Sequence, residues 1–150
     1  MVIRKPDPGD RELFLALAEE FYHSEAVLHP VPRSHMERTF AELMRSEEYV
    51  SMYLLEREGT AAGYVLLAHT WSMEAGGMVS WVEELYVRPA FRGQGVGSAL
   101  MEHVLAKVPA ARFRLEVEPD NHRVKELYRR FGFAEFPYQQ MVKEIGTDSL

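Results

Sequence analysis

The chain holds no cysteine. That excludes disulfides, zinc–thiolate centres and a thiol nucleophile. It also lacks any apolar run long enough to span a bilayer. Its first residues, MVIRKPDPGD, lack the apolar centre of a secretory signal. These absences point to the cytoplasm and away from a membrane. Basic residues are in deficit: 17 Lys and Arg stand against 23 Asp and Glu, a formal net charge of −6. A general nucleic-acid binder would carry the opposite balance. The acidity serves solubility, and it also suits a cationic ligand. The six histidines, His23, His29, His35, His69, His103 and His122, show no metal-ligating spacing, so no metal is expected.

What remains is an ordinary globular composition, 47% hydrophobic over 150 residues, enough for one domain across 1–150. Val2-Ile3-Arg4 reads as a first strand. Asp7-Pro8-Gly9-Asp10 reads as a helix start, with Asp7 as N-cap, and the apolar stripe Leu13, Leu17, Phe21 carries that helix over 8–25. Ser34 and Glu37 form a capping-box pattern ahead of a second helix, 34–46. Strands follow over Tyr49–Glu56, Ala62–Trp71 and Met78–Val87, with a turn at Glu58-Gly59 and a loop over Ser72–Gly77. A helix over Ser98–Lys107 leads to a strand, Arg112–Glu118. Pro119-Asp120-Asn121 starts another helix, which ends at Phe131-Gly132. Ala134–Phe136 and Tyr138–Glu144 read as closing strands, and 146–150 as a loose tail. The order describes an α+β fold with a mixed sheet flanked by helices.

The densest signal is Arg92-Gly93-Gln94-Gly95-Val96-Gly97, between a strand and a helix. Glycines free backbone N–H groups to face a ligand, the helix start adds partial positive charge, and Arg92 adds a full one. The loop therefore suits a phosphate or pyrophosphate; the plainer reading is a tight turn. A P-loop would need Lys-Ser/Thr after the last glycine, but Ser98-Ala99 follows Gly97. A dinucleotide fingerprint fails too, because the sixth position is Ser98 counted from Gly93 and Leu100 counted from Gly95.

Arg92, Gly95 and Gly97 do complete Arg/Gln-x-x-Gly-x-Gly/Ala. With WVEELYV at 81–87, RPAFRGQGVGSALMEHV after it, RLEVEPDN at 114–121 and NHRVKELYRRFGF at 121–133, the sequence resembles the GNAT superfamily of N-acetyltransferases. The resemblance is close over 50–144. It implies the family's mostly antiparallel sheet and acetyl-CoA (coenzyme A) as donor. It also implies direct attack by an amine, which needs no chain nucleophile.

The resemblance assigns the pyrophosphate to Arg92, Gly93, Gln94, Gly95, Val96, Gly97 and Ser98, and the pantetheine arm to backbone groups of Leu85, Tyr86 and Val87. It makes Asn121 a pantetheine contact and Tyr128 the acid that protonates the thiolate. Seven residues apart on a helix, these two share a face. Asn121 also reads as an N-cap, and Tyr128 as a core aromatic. Glu83 or Glu84 would take the amine's proton. Glu83 shares strand parity with Leu85 and Val87 and matches the polyamine-type branch, although a bulge here would break the parity argument. Arg88, Arg123, Lys125 and Arg129 are surface charges that could also meet the 3′-phosphate. Trp71, Glu74 and His29 are candidate acceptor contacts. The acceptor is expected to be a small-molecule amine; a protein N-terminus or lysine, or a non-catalytic acyl-CoA-binding module, are the alternatives. Members of the family often dimerise through late strands, making Phe136-Pro137-Tyr138 a candidate homodimer contact.

Overall fold

The computed structural model describes residues 1–24 and 27–146, which fall into two compact units, 1–116 and 117–150. In the first, strands β1 (Val2–Arg4), β2 (Val50–Arg57), β3 (Thr60–Ser72), β4 (Gly77–Val87) and β5 (Arg112–Leu115) lie side by side in that order. The first three pairings are antiparallel, and β5 runs parallel to β4. The parallel pair is joined through helix α3 (Val96–Lys107), as a parallel crossover requires. The sheet is mixed and mostly antiparallel, and the fold is α+β. None of the described helices is long and apolar enough to cross a membrane.

The chain enters through local chemistry that the sequence announces. Asp7 caps a 3-10 turn, Pro8–Asp10, and Asp10 returns a bond to the Asp7 N–H at 2.7 Å. Arg4 grips Asp10 with two guanidinium nitrogens, at 2.7 and 2.9 Å, and Glu56 of β2 with the third, at 2.6 Å. Helix α1 (Arg11–Tyr22) follows; the expected last residue, Glu25, lies outside the described residues. Helix α2 (Arg33–Arg45) starts differently from its expected capping box. Pro32 is its N-cap, and Ser34 is already helical. Glu37 instead pairs with Arg11 of α1 at 2.9 Å, so an interhelical ion pair replaces the box.

Two apolar layers hold the sheet. On one face, Phe14, Leu17, Phe21, Met36 and Phe40 of α1 and α2 pack on Met52, Leu54, Tyr64, Leu66 and Tyr86. Alternation sends Leu55, Val65 and Leu67 to the other face, against Val96, Leu100, Met101 and Val104 of α3. That second layer includes a satisfied polar row: His69 bonds Ser51 through Nε2 and Ser80 through Nδ1, each at 2.8 Å.

The second unit contains helix α4 (His122–Arg130), capped by Asn121 and stopped at Gly132 with φ 91°. The expected closing strands are absent: no described residue from 134 to 146 is in a strand. Alternation along Tyr138–Glu144 supplies a face but not a partner, and a strand exists only by pairing. Among the described residues of this unit there is no other strand to pair with. The expected tail falls mostly on 147–150, outside the described residues.

Gly63 sits opposite Val87, and a Cβ there would collide with the Tyr86 carbonyl and press Val96 at 3.2 Å. Its lack of a side chain lets β3, β4 and α3 close together. Gly63→Ala is expected to cost about 1–3 kcal/mol, the usual range for overpacking. Urea unfolding checks this; an unchanged midpoint would contradict it.

Candidate active site

Strand β4 carries the candidate site because its pairing breaks twice. The first break is a bulge. Leu67 faces Val82 and Leu66 faces Glu84, so Glu83 has no partner on β3. An extra residue reverses side-chain parity beyond it. Val82 belongs to the α3 face, whereas Glu84 and Tyr86 belong to the α1 face. The parity that joined Glu83 to Leu85 and Val87 therefore does not decide which glutamate acts.

The second break is on the opposite edge. Strand β5 pairs with β4 only over Val79–Val82. Among the described residues, no strand pairs with that edge from Glu83 to Val87. Leu85, Tyr86 and Val87 keep their β3 partners Val65, Tyr64 and Gly63, and no described strand pairs with their other edge. An extended ligand can add itself there like a strand.

The glycine loop lies directly beyond. Pro89–Phe91 forms a 3-10 turn, then Gly93 and Gly95 take left-handed φ values of 76° and 79°. The helix begins earlier than expected, at Val96, with Gly95 as N-cap and Gly97 within the first turn. No side chain caps that first turn, so its leading N–H groups are left for a ligand. Arg92 donates through Nε to the Val87 carbonyl at 3.3 Å. Among the described residues, no carboxylate pairs with its guanidinium. Gln94 accepts from Arg57 of β2 and donates to the Ala90 carbonyl at 3.3 Å. Arg88, in contrast, is committed to Glu20 of α1 at 3.0 and 3.2 Å and to the Ala61 carbonyl.

The two glutamates differ sharply. Glu84 is deeply set, accepting from Tyr22 at Oε2 and from Tyr64 at Oε1, both at 2.6 Å. Burial pushes its carboxyl above the ordinary value, and the two phenols pull the other way. Glu83 is exposed. Its carboxyl is also raised, by the surrounding protein first, then by the charges of Glu116 and Glu84.

Trp71 is in a strand, as expected. It is a β3 residue opposite Met78, 71% exposed. It lies five residues from Leu66, about 16 Å along the strand from the bulge. Glu74, at the same hairpin end, is held by Arg112 at 2.7 Å. His29 is exposed in the connection between α1 and α2. The structure thus brings Glu83, Glu84, Leu85–Val87 and the glycine loop onto one strand–loop–helix path, and separates Trp71 and Glu74 from them. Tyr22 and Tyr64 went unnoticed in the sequence. Tyr22 had a faint signal, a polar-tipped aromatic closing an otherwise apolar helix stripe.

In the second unit, Asn121 accepts from the Val124 N–H at 3.3 Å, so it is the N-cap of α4. Tyr128 packs edge-on against Phe133, ring centres 5.8 Å apart. Burial raises its phenol, which stays protonated at neutral pH.

The model of the acetyltransferase (GNAT) family matches residues 12–133. The chain belongs to the GNAT family of acetyltransferases. As a GNAT protein it is an N-acetyltransferase. An N-acetyltransferase of Archaeoglobus fulgidus, itself uncharacterized, is 29% identical over 106 residues, 70% of this chain and 71% of its own. The thialysine N-epsilon-acetyltransferase of Sus scrofa is 34% identical over 73 residues, 46% of this chain and 40% of that protein. The GNAT fold is seen again in solved structures. A probable acetyltransferase superposes with a TM-score of 0.80 at 20% identity, over 99% of this chain and all of that one. AAC(6')-Iy, in complex with the bisubstrate analog CoA-S-monomethyl-acetylneamine, gives 0.78 at 16%, over 96% and 97%.

Deleting Glu83 would remove the bulge and make Glu84 follow Val82 directly, still opposite Leu66 and on the α1 face. The deletion is therefore expected to fold and to keep the bonds of Tyr22 and Tyr64 to Glu84. Thermal unfolding and carboxyl NMR of the deletion beside Glu83→Ala test this; a deletion that cannot fold, or a Glu84 released from the two phenols, would contradict the parity assignment.

Proposed function

We propose that this GNAT protein is an acetyl-CoA-dependent enzyme that passes the acetyl group directly to a primary amine, a small cationic one, in the cytoplasm. The observation that carries the reading is the unpaired β4 edge, Glu83–Val87, which runs straight into the uncapped start of α3. The donor set fits coenzyme A. Backbone groups of Leu85–Val87 would hold the pantetheine arm. Arg92 and the N–H groups of Gly93–Ser98 would hold the pyrophosphate. Acetyl-CoA would supply an activated thioester when bound. The family match spans 12–133, so both units belong to one N-acetyltransferase domain in this reading.

The chain's own residues then have three tasks. A carboxylate at the bulge, Glu83 or Glu84, takes the proton that the attacking ammonium must lose, directly or through a water. The amine nitrogen bonds to the acyl carbon as the carbon–sulfur bond breaks. Tyr128, kept protonated by its burial, gives its proton to the departing thiolate. Carboxyls raised above the ordinary value hold a transferred proton better than a free carboxylate does.

A cationic acceptor is supported by the net charge of −6 and by Glu83, Glu84 and Glu116 near the bulge. Named relatives agree in kind: one acts on thialysine, and one neighbouring structure carries an acetylneamine analog.

Thiol release from acetyl-CoA across an amine panel tests the proposal. Turnover is expected with small diamines or polyamines. Tyr128→Phe should lose about 10²–10⁴ in rate. Turnover only with peptides would move the acceptor to a protein amine, and binding without turnover would make the protein an acyl-CoA-binding module. Saturating coenzyme A, at about 100 Kd, should stabilise the wild type by about 2.7 kcal/mol. Arg92→Glu should abolish that shift; an unchanged shift would refute the placing of the pyrophosphate.

A further inference from the structure

Glu84 is a carboxylate set into an aromatic wall. Tyr22 reaches it from the last turn of α1 and Tyr64 from the middle of β3, so each oxygen has one short bond from a different element. Phe21 stands edge-on to Tyr22, Tyr64 and Tyr86, with ring centres 5.1, 6.3 and 6.0 Å away. Tyr86 donates to Glu20 at 3.1 Å, and Glu20 also holds Arg88. Strand β4 is thus fastened to α1 on both sides of Leu85, immediately after the bulge.

We infer that Tyr22 and Tyr64 are positioning residues that lock Glu84 as the half-buried anchor of the β4 bulge, leaving Glu83 to accept the amine's proton. The inference rests on the acyl-transfer reading above and assigns the step that reading leaves between two carboxylates.

A base has to reach its proton. Each Glu84 oxygen already accepts one charge-assisted bond in a part-buried setting, and taking up a proton would weaken the pair. Glu83 is exposed, it stands where β4 has no partner on β3, and no described side chain hydrogen-bonds its carboxylate. Anchoring Glu84 also stabilises the bulge itself, because the reversed parity aims a carboxylate at an apolar layer where only phenols can satisfy it.

The charged and titratable groups around the pair define the pH test. Glu84 faces Tyr22 and Tyr64, with Tyr86, Glu20 and Arg88 beyond. Glu83 feels Glu84 from its own strand and Glu116 from beyond β5, and it acts in turn on Tyr22. Removing either phenol takes a donor from the ionised form of Glu84, so Glu84 holds its proton to higher pH. Its charge beside Glu83 then weakens, and Glu83 ionises at lower pH.

Carbon-13 carboxyl titration of wild type, Tyr22→Phe and Tyr64→Phe, with steady-state rates on the best amine, tests the assignment. Either phenylalanine keeps the ring and loses only the oxygen. We expect Glu84 to titrate higher and Glu83 lower in both variants, and the acid limb of kcat/KM to move to lower pH. The expected fall in kcat is about tenfold, with an unchanged KM for acetyl-CoA. Glu83→Gln should lose about 10²–10⁴ in kcat, and Glu84→Gln about tenfold or less. Unmoved titrations in both tyrosine variants would overturn the lock. A dead Glu84→Gln beside an active Glu83→Gln would overturn the assignment of the base. A wild type that acetylates no amine would refute the acyl-transfer reading and Glu83's role with it, while the titrations alone still decide the lock.

Discussion

A strand cannot take in one extra residue without turning every later side chain to the opposite face, and β4 does so at Glu83. Before the bulge, Val82 faces α3 with Leu67. After it, Glu84 and Tyr86 face α1 with Tyr64 and Leu66. One buried layer thereby receives a carboxylate, which persists there because α1 and β3 each supply a phenol. The bulge decides which carboxylate the two phenols hold. Without it, Glu83 would take the place opposite Leu66 and Glu84 would turn to the apolar α3 layer; with it, the phenols satisfy Glu84 and Glu83 is left at the bulge.

The same stretch prepares the other half of the site. Strand β5 leaves β4 after Val82, so the bulge stands where the parallel pairing ends. From there β4 has one satisfied edge and one open edge, and it ends in a loop whose left-handed glycines expose N–H groups. Gly63 lets β3, β4 and α3 approach closely beside that path. The proposed anion site at the start of α3 needs no special side chain, only an absence of caps and a nearby cation, here Arg92.

Much of this was legible in the sequence. Asp7 and Asn121 announced their caps and Glu58-Gly59 its hairpin turn, because each is a local device read within four residues. The glycine run announced its turn and the helix start behind it for the same reason. Two other features were invisible to local reading. The bulge is a mismatch between two strands, and only the register against Leu66 and Leu67 reveals it. The phenols reach Glu84 from 62 and 20 residues away, where no spacing rule connects them. The errors have physical causes as well. Ser34 and Glu37 fit a capping box, but Arg11 competes for Glu37 and wins the geometry. Tyr138–Glu144 alternates as a strand should, yet a strand needs an edge to join.

The central claim is that the open edge of β4 and the uncapped start of α3 form one continuous cofactor path. Backbone amide NMR of the uniformly nitrogen-15-labelled protein, titrated with coenzyme A, reads that path residue by residue. The account predicts saturable shifts concentrated at Leu85, Tyr86 and Val87 and at Gly93 through Ser98, growing together with one dissociation constant. Shifts that leave both stretches unmoved, or that follow two unrelated constants, would contradict it.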